Sequence, residues 1–168
     1  MLFNISLQGQ QQEHKQINWL GFEEAIRLNK TENRKIMVYV FSDNCGWCRK
    51  MEAETFASPA IIQVINSHFY PVKINARITD TIRYDGRSFG YIPADPGLGR
   101  PAYHELILLL LQGRLAYPST AFLDENLVYL GLERGYKSAD PFGKYLKYIS
   151  EEVYKSGKSF DDYLEELF

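Results

Sequence analysis

The sequence predicts an α/β domain with a mixed central sheet flanked by helices, and three observations support this fold class. The chain has 168 residues, 45% hydrophobic and 24% charged, which suits one globular domain with a full core. Two strand-like segments enclose a helical one, and a strand-helix-strand order makes a parallel pair. Two short strands follow later, and their close spacing predicts an antiparallel hairpin.

The first half of the chain carries the parallel pair. Apolar residues at helical spacing, and a proline in a first turn, indicate helices. Runs of apolar β-branched and aromatic residues indicate strands buried on both faces. These patterns predict helices over 20–30, from near Cys45 and from Ser58-Pro59, and strands over 36–41 and 69–74.

Residues 76–100 interrupt this pattern and are predicted to be an insertion. They contain four arginines and two prolines with little periodicity. Within them, Asp85-Gly86 lies between segments 81–84 and 88–91, which predicts a hairpin around a two-residue turn. Such an insertion either shapes a partner surface or is decoration.

The second half of the chain carries the hairpin and the clearest helix. Glycines end helices because they adopt the left-handed backbone conformation readily, and serine or aspartate residues cap their beginnings. The predicted elements are a helix over 103–112 closed by Gly113, strands over 120–123 and 127–130, a helix from Asp140 that Gly157 ends, and a final helix capped by Ser159.

Composition excludes several classes of protein. The net charge is −2 with interspersed charges, which argues against a general nucleic-acid or anionic-membrane binder, because such a protein carries a basic face or tail. The longest apolar run, residues 106–111, is too short to span a bilayer. Two cysteines exclude a multi-disulfide scaffold. We expect a tether over 1–17 and a single domain over 18–168.

Both cysteines lie in Cys45-Gly46-Trp47-Cys48, which follows a predicted buried strand and opens a helix. Cys45 faces the positive end of the helix dipole, where a thiolate is favoured, and Arg49 and Lys50 add positive charge. Cys48 lies one turn inside. We therefore predict that Cys45 is the attacking nucleophile and Cys48 the resolving thiol, with no cofactor beyond this dithiol.

Two other interpretations of the motif stay open at this point. A zinc site needs two further ligands, and the chain supplies only His14, His68 and His104, none at paired spacing. A purely structural disulfide across so small a loop would stabilise the fold weakly. We expect the adjacent His104-Glu105 to be a capping or surface pair.

The motif and its surroundings resemble a known family. Residues 38–56, which include the Cys-Gly-Trp-Cys motif, and the continuation over 58–75 are similar to the thioredoxin-like family that includes the carboxy-terminal domain of the DsbD thiol–disulfide interchange protein. Tyr117-Pro118-Ser119-Thr120 resembles the cis-proline loop of that family, which lies opposite the first cysteine. The resemblance spans roughly residues 19–155 and implies a thioredoxin-like fold.

The resemblance also implies a function. It indicates a reductase or interchange protein acting on protein thiols and disulfides, with a redox partner protein and with Trp47, Tyr117 and Pro118 at the substrate. An aromatic lip of Trp47, Tyr91 and Tyr117 is expected around the disulfide. The implied location is the periplasm or another exported compartment with the signal removed, the alternative being the cytoplasm. The alternative function is a binding or chaperone module whose disulfide is not catalytic.

The sequence departs from the family pattern at one functional position. Thioredoxins have a buried acid six residues before the first cysteine, where this chain has Tyr39. A tyrosine is a poor base at neutral pH, so the proton-accepting role is empty or passes to another group. Glu52 is the candidate, the alternative being a solvated surface carboxylate. Lys73 resembles the strand lysine of the family and is expected to support the site.

Overall fold

A computed structural model describes residues 15–167 of the chain. In that part the strands and helices follow the predicted order. Two short 3₁₀ helices, Pro96–Leu98 and Val153–Ser156, lie between them. The elements are α1 (Phe22–Asn29), β1 (Lys35–Phe41), α2 (Gly46–Glu54), α3 (Pro59–His68), β2 (Phe69–Asn75), β3 (Ile82–Tyr84), β4 (Arg87–Phe89), β5 (Tyr91–Ile92), β6 (Tyr103–His104), α4 (Glu105–Leu110), β7 (Ser119–Leu123), β8 (Tyr129–Arg134), α5 (Ala139–Ser150) and α6 (Phe160–Glu165).

The central sheet has four strands in the order β2-β1-β7-β8. Strand β1 is parallel to β2 and antiparallel to β7, and β7 is antiparallel to β8. The predicted mixed sheet is therefore confirmed. Val40 pairs with Ser119, and Ser119 pairs with Arg134. The carboxyl end of β1, the amino end of β7 and the carboxyl end of β8 thus share one edge of the sheet.

Strand β1 separates two hydrophobic cores. Ile36, Val38 and Val40 pack in the core that includes residues of α1 and α4. Met37 and Tyr39 pack in the other, which includes residues of α3 and α5. Side chains alternate between the faces of a strand, so a continuous apolar run fills both cores and explains why β1 is central.

The insertion contributes to two small antiparallel pairs, the second of which it forms with residues that follow it. Strands β3 and β4 flank Asp85 and Gly86, whose φ angles of 50° and 70° confirm the predicted two-residue turn. Strand β5 pairs with β6, so Tyr103 and His104 are strand residues and the predicted helix over 103–112 is shorter. That helix begins at Glu105 because the buried His104 ring accepts a hydrogen bond from the Leu106 N–H at 3.2 Å.

The second strand of the late hairpin lies further along the chain than predicted. It is Tyr129–Arg134, not residues 127–130. The Asp124 carboxylate accepts hydrogen bonds from the N–H groups of Asn126 and Val128, both at 2.8 Å. These bonds extend the turn through Val128, so the strand begins at Tyr129.

The two carboxy-terminal helices end and begin at local signals. Helix α5 ends at Ser150, so the helix predicted from Asp140 stops before Gly157. Ser159 and Asp162 form a reciprocal capping box at the start of α6, which confirms the predicted cap.

The predicted tether falls mostly outside the described residues, which begin at 15. Ile17 is buried in the core beside Phe69 and Ile65. The Asn66 side chain holds the segment by donating to the carbonyl of Gln16 at 2.9 Å. Within residues 15–167, the helices are all too short or too polar to cross a membrane.

Candidate functional site

The loop after β1 places the cysteine motif at the shared edge of the sheet. The backbone N–H of Cys45 donates to the carbonyl of Ser42 at 3.1 Å, which turns the chain toward α2. Cys45 has an extended backbone and is the amino-terminal cap of α2, whose first residue is Gly46. The helix start expected from the sequence is present.

Cys45 and Cys48 form a disulfide, and their environments differ. The Cys45 sulfur accepts a hydrogen bond from the backbone N–H of Cys48 at 3.0 Å. Cys45 is partly exposed, whereas Cys48 is 1% exposed. An N–H donor at a helix amino terminus favours negative charge on the Cys45 sulfur. This geometry allows an incoming polypeptide to reach Cys45 before Cys48.

Tyr39 lies beneath the motif on β1 and is fully buried. Its hydroxyl oxygen is 3.3 Å from both the carbonyl oxygen of Cys48 and Oε1 of Glu52. Burial raises the pKa of the Tyr39 hydroxyl far above its ordinary value, and the neighbouring Glu52 carboxylate raises it further. The hydroxyl therefore keeps its proton and serves as a hydrogen-bond donor.

Glu52 joins Tyr39 to Lys73. Its other carboxylate oxygen is 2.8 Å from the Lys73 ammonium, which also lies 4.8 Å from the centre of the Phe41 ring. The Glu52 and Lys73 side chains are 34% and 28% exposed. Glu52 is thus a half-buried, bonded group, and the structure brings both predicted supporting residues next to the Tyr39 position.

Trp47 projects from the motif, and its side chain is 59% exposed. Its ring packs on Tyr136 with the ring centres 5.6 Å apart. The Tyr136 hydroxyl donates to Glu54 at 2.6 Å, which anchors the segment after β8 to α2. We did not identify Tyr136 from the sequence. The register of β8, whose carboxyl end lies at the shared edge, is the signal that locates it.

The Tyr117–Pro118 segment reaches the same edge from β7. The Tyr117–Pro118 peptide bond is cis, as the resemblance implies. The Pro118 carbonyl accepts a hydrogen bond from the Gly135 N–H at 2.8 Å. Tyr117 is half-buried, and burial raises the pKa of its hydroxyl while the positive charge of Arg77 opposes that rise.

Tyr91 and His104 are two further residues considered in the sequence. Tyr91 is in β5, paired with His104. Among residues 15–167, the ring contact of Trp47 is with Tyr136, and none joins Trp47 to Tyr91 or Tyr117. His104 is buried, and its Nε2 faces the carbonyl of Asp80 at 3.0 Å. His104 therefore caps α4, as expected, but it is buried and does not lie on the surface.

Solved structures share this architecture. A structure described as DsbH oxidoreductase superposes with a TM-score of 0.58 and 14% identity, covering 90% of this chain and 95% of that chain. A thioredoxin from Thermus thermophilus superposes with a TM-score of 0.59 and 18% identity, covering 85% and 94%. The chain has the thioredoxin fold. Matches also include the carboxy-terminal domain of DsbD from Neisseria meningitidis, with a TM-score of 0.48 and 15% identity over 77% and 97%.

A family model matches the part of the chain that carries the cysteines. A family model labelled Thioredox_DsbH and described as "Protein of unknown function, DUF255" matches residues 4–80. Spermatogenesis-associated protein 20 from Rattus norvegicus is 32% identical over 66 residues, which are 39% of this chain and 8% of that protein. The chain thus aligns with a small share of this relative. The predicted resemblance to thioredoxin-like proteins is confirmed.

Within the thioredoxin fold, two features of this chain depart from the family pattern stated above. Tyr39 occupies the strand position of the buried acid, and a carboxylate reaches that position from α2 instead. The insertion adds β3, β4 and β5 after β2. The first departure places a tyrosine and a carboxylate from α2 beneath the cysteines, whereas the second adds surface.

Proposed function

We propose that the protein is a thiol–disulfide oxidoreductase, a reductase or interchange protein that acts on protein cysteines. The observation that carries the proposal is the Cys45–Cys48 disulfide at the amino terminus of α2, with Cys45 accessible and Cys48 buried. The thioredoxin fold supports the general class.

Cys45 is the nucleophile in this proposal. In the reduced protein its thiolate attacks a substrate disulfide, forms a mixed disulfide and releases one substrate thiolate. The hydrogen bond from the Cys48 N–H and the dipole of α2 stabilise the thiolate.

Cys48 is the resolving thiol, and Glu52 is its proton acceptor. Cys48 attacks the Cys45 sulfur, the second substrate sulfur leaves, and two electrons have passed to the substrate. Residues four apart share a helix face, so Glu52 and Cys48 lie on the same side of α2. Tyr39 and Lys73 hold the Glu52 carboxylate by hydrogen bonds of 3.3 and 2.8 Å.

The substrate side of the proposal comprises Trp47, Tyr117 and Pro118. Trp47 is exposed beside the disulfide, and the register of β1 and β7 supports a position for Pro118 at the same edge. The partners are protein substrates and a redox partner that returns electrons to the dithiol. We further propose an exported compartment such as the periplasm, which fractionation of the source cells tests.

Insulin reduction tests the proposed activity. With dithiothreitol as electron donor, the wild-type protein should accelerate insulin precipitation, and Cys45→Ser should abolish the acceleration. Ser58→Ala is a matched control because this serine makes no side-chain capping bond at α3. Equal rates for wild type and Cys45→Ser would favour the binding or chaperone module. The reduction potential against glutathione then decides between a reductase and an oxidant.

A further inference from the structure

Two cationic side chains lie against the middle residues of the Cys-Gly-Trp-Cys motif. The Lys50 ammonium is 5.4 Å from the centre of the Trp47 ring and 5.0 Å from that of Tyr136. A guanidinium nitrogen of Arg49 is 3.9 Å from the position of a Cβ built on Gly46. Both charges therefore lie beside the segment that separates the two cysteines.

Lys50 is held in this position before any ligand binds. Long side chains on a helix lean toward its amino terminus, so the ammonium reaches Trp47, one turn earlier. Tyr136, the second ring beneath it, is anchored by Glu54. Exposed ion pairs are usually weak partly because the cation loses side-chain freedom on pairing. Packing over the two rings already restricts the Lys50 side chain. Pairing with a carboxylate therefore removes less side-chain freedom.

Arg49 is also held. Its second guanidinium nitrogen donates to the Asp43 carbonyl at 3.1 Å, which fixes the group on the loop before Cys45. The amino terminus of α2 adds a positive dipole end at the same place. The electrostatic field beside Gly46 and Trp47 therefore has three positive sources.

Neither cation is engaged in an ion pair with a carboxylate of the described residues. The ion pairs formed within residues 15–167 include neither Arg49 nor Lys50. The acids on the loop and on α2 have other partners. Asp43 accepts from the Asn75 amide, Glu52 pairs with Lys73, and Glu54 accepts from the Tyr136 hydroxyl.

We propose that this cationic surface, formed by Gly46, Trp47, Arg49 and Lys50, binds a carboxylate of the substrate next to its reactive cysteine. The preferred substrates are then polypeptides whose cysteine has acidic neighbours. The inference rests on the proposed function. Consecutive Cα atoms are about 3.8 Å apart, so a mixed disulfide with Cys45 brings the residues flanking the substrate cysteine over this surface.

Matched synthetic peptides test the preference. Three oxidised homodimers of acetylated, amidated pentapeptides carry one cysteine flanked by glutamate, glutamine or lysine. The reduced protein transfers two electrons to one dimer: Cys45 and Cys48 become a disulfide, and two peptide thiols are released. Acid quenching and chromatography count those thiols. We expect the glutamate peptide to react about three- to tenfold faster than the glutamine peptide at low salt, and within about twofold at ~0.5 M salt.

Variants show whether Lys50 is responsible for the preference. Lys50→Met keeps an apolar stem over the rings without the charge, and should lower the glutamate-to-glutamine rate ratio about two- to fivefold. Lys50→Glu should turn the preference toward the lysine peptide. Lys30→Met is the control, because Lys30 is exposed between α1 and β1, at the opposite end of the sheet. It should leave the ratio unchanged.

The outcomes separate this inference from the function on which it rests. A rate ratio that stays at the wild-type value in both Lys50 variants overturns the inference. If the glutamine peptide still oxidises the dithiol in that case, the proposed function stands. Failure of the wild-type protein to react with any of the three peptides overturns both.

Discussion

Gly131 provides the sharpest test of the packing between the sheet and α5. It lies in β8 opposite Phe122, and a Cβ built on it would overlap the hydroxyl oxygen of Tyr145. The next ring atom, Cζ, is 3.7 Å from that Cβ, an ordinary contact distance. Tyr145 is buried, so its ring cannot swing into solvent. One oxygen atom therefore makes alanine unfavourable at position 131.

The expected magnitude follows from two opposing effects. Forcing an extra methyl group into a packed site costs about 1–3 kcal/mol. Replacing glycine by alanine in a strand stabilises the folded state by about 0.5–1 kcal/mol. Gly131→Ala should therefore lower the free energy of unfolding by up to about 2.5 kcal/mol, a fall in Tm of ~2–4 °C per kcal/mol. In a Tyr145→Phe background the overlap disappears, and the same substitution should stabilise by about 0.5–1 kcal/mol.

Denaturant unfolding of the wild type, both single variants and the double variant measures the coupling between the two positions. We expect a coupling free energy of about 1–3 kcal/mol. Gly131→Ala in a Tyr129→Phe background is the matched control, since the Tyr129 hydroxyl is also buried and should leave the penalty unchanged. Equal effects of Gly131→Ala with and without the Tyr145 hydroxyl would refute the reasoning.

Three further predictions concern the site and the opposite end of the sheet. Cys48→Ala should retain substrates on Cys45 as mixed disulfides that dithiothreitol releases, whereas capture by a Cys45→Ala variant instead would reverse the roles. Glu52→Gln should slow the resolving step about 100-fold in single-turnover kinetics at neutral pH, and an unchanged rate would remove its role. Lys35→Met removes a buried ammonium that pairs with Glu152. The substitution should lower the free energy of unfolding by about 1–3 kcal/mol at pH 7. Hydrogen bonds from Lys155 and Lys35 lower the pKa of Glu152. The stabilisation that these bonds give the folded state is therefore complete above the ordinary pKa of 4.5, and it is lost as the pH falls through the lowered pKa. The difference in free energy of unfolding between the wild type and Lys35→Met should therefore become smaller as the pH is lowered.

Local chemistry in the sequence was sufficient to locate the end of the molecule that carries the cysteine pair. The apolar run of β1 predicts a strand buried on both faces, and the cysteine motif that follows predicts a helix start. The Asp85-Gly86 turn and the Ser159 cap are equally local. In each case neighbouring residues supply the whole signal, because backbone conformation and hydrogen bonding within one turn decide the outcome.

The surroundings of the cysteines depended on tertiary structure. Tyr136 reaches Trp47 from 89 positions away, because the pairing of β8 with β7 brings the two segments to one edge. Glu52 looks like a surface residue in the sequence, and only the packing of α2 against β1 and β2 joins it to Tyr39 and Lys73. Strand register and helix packing are set by interactions between distant segments. For this reason the sequence alone predicts Cys45 as the nucleophile of the proposed reaction, while the fold decided which charges, rings and carboxylate surround it.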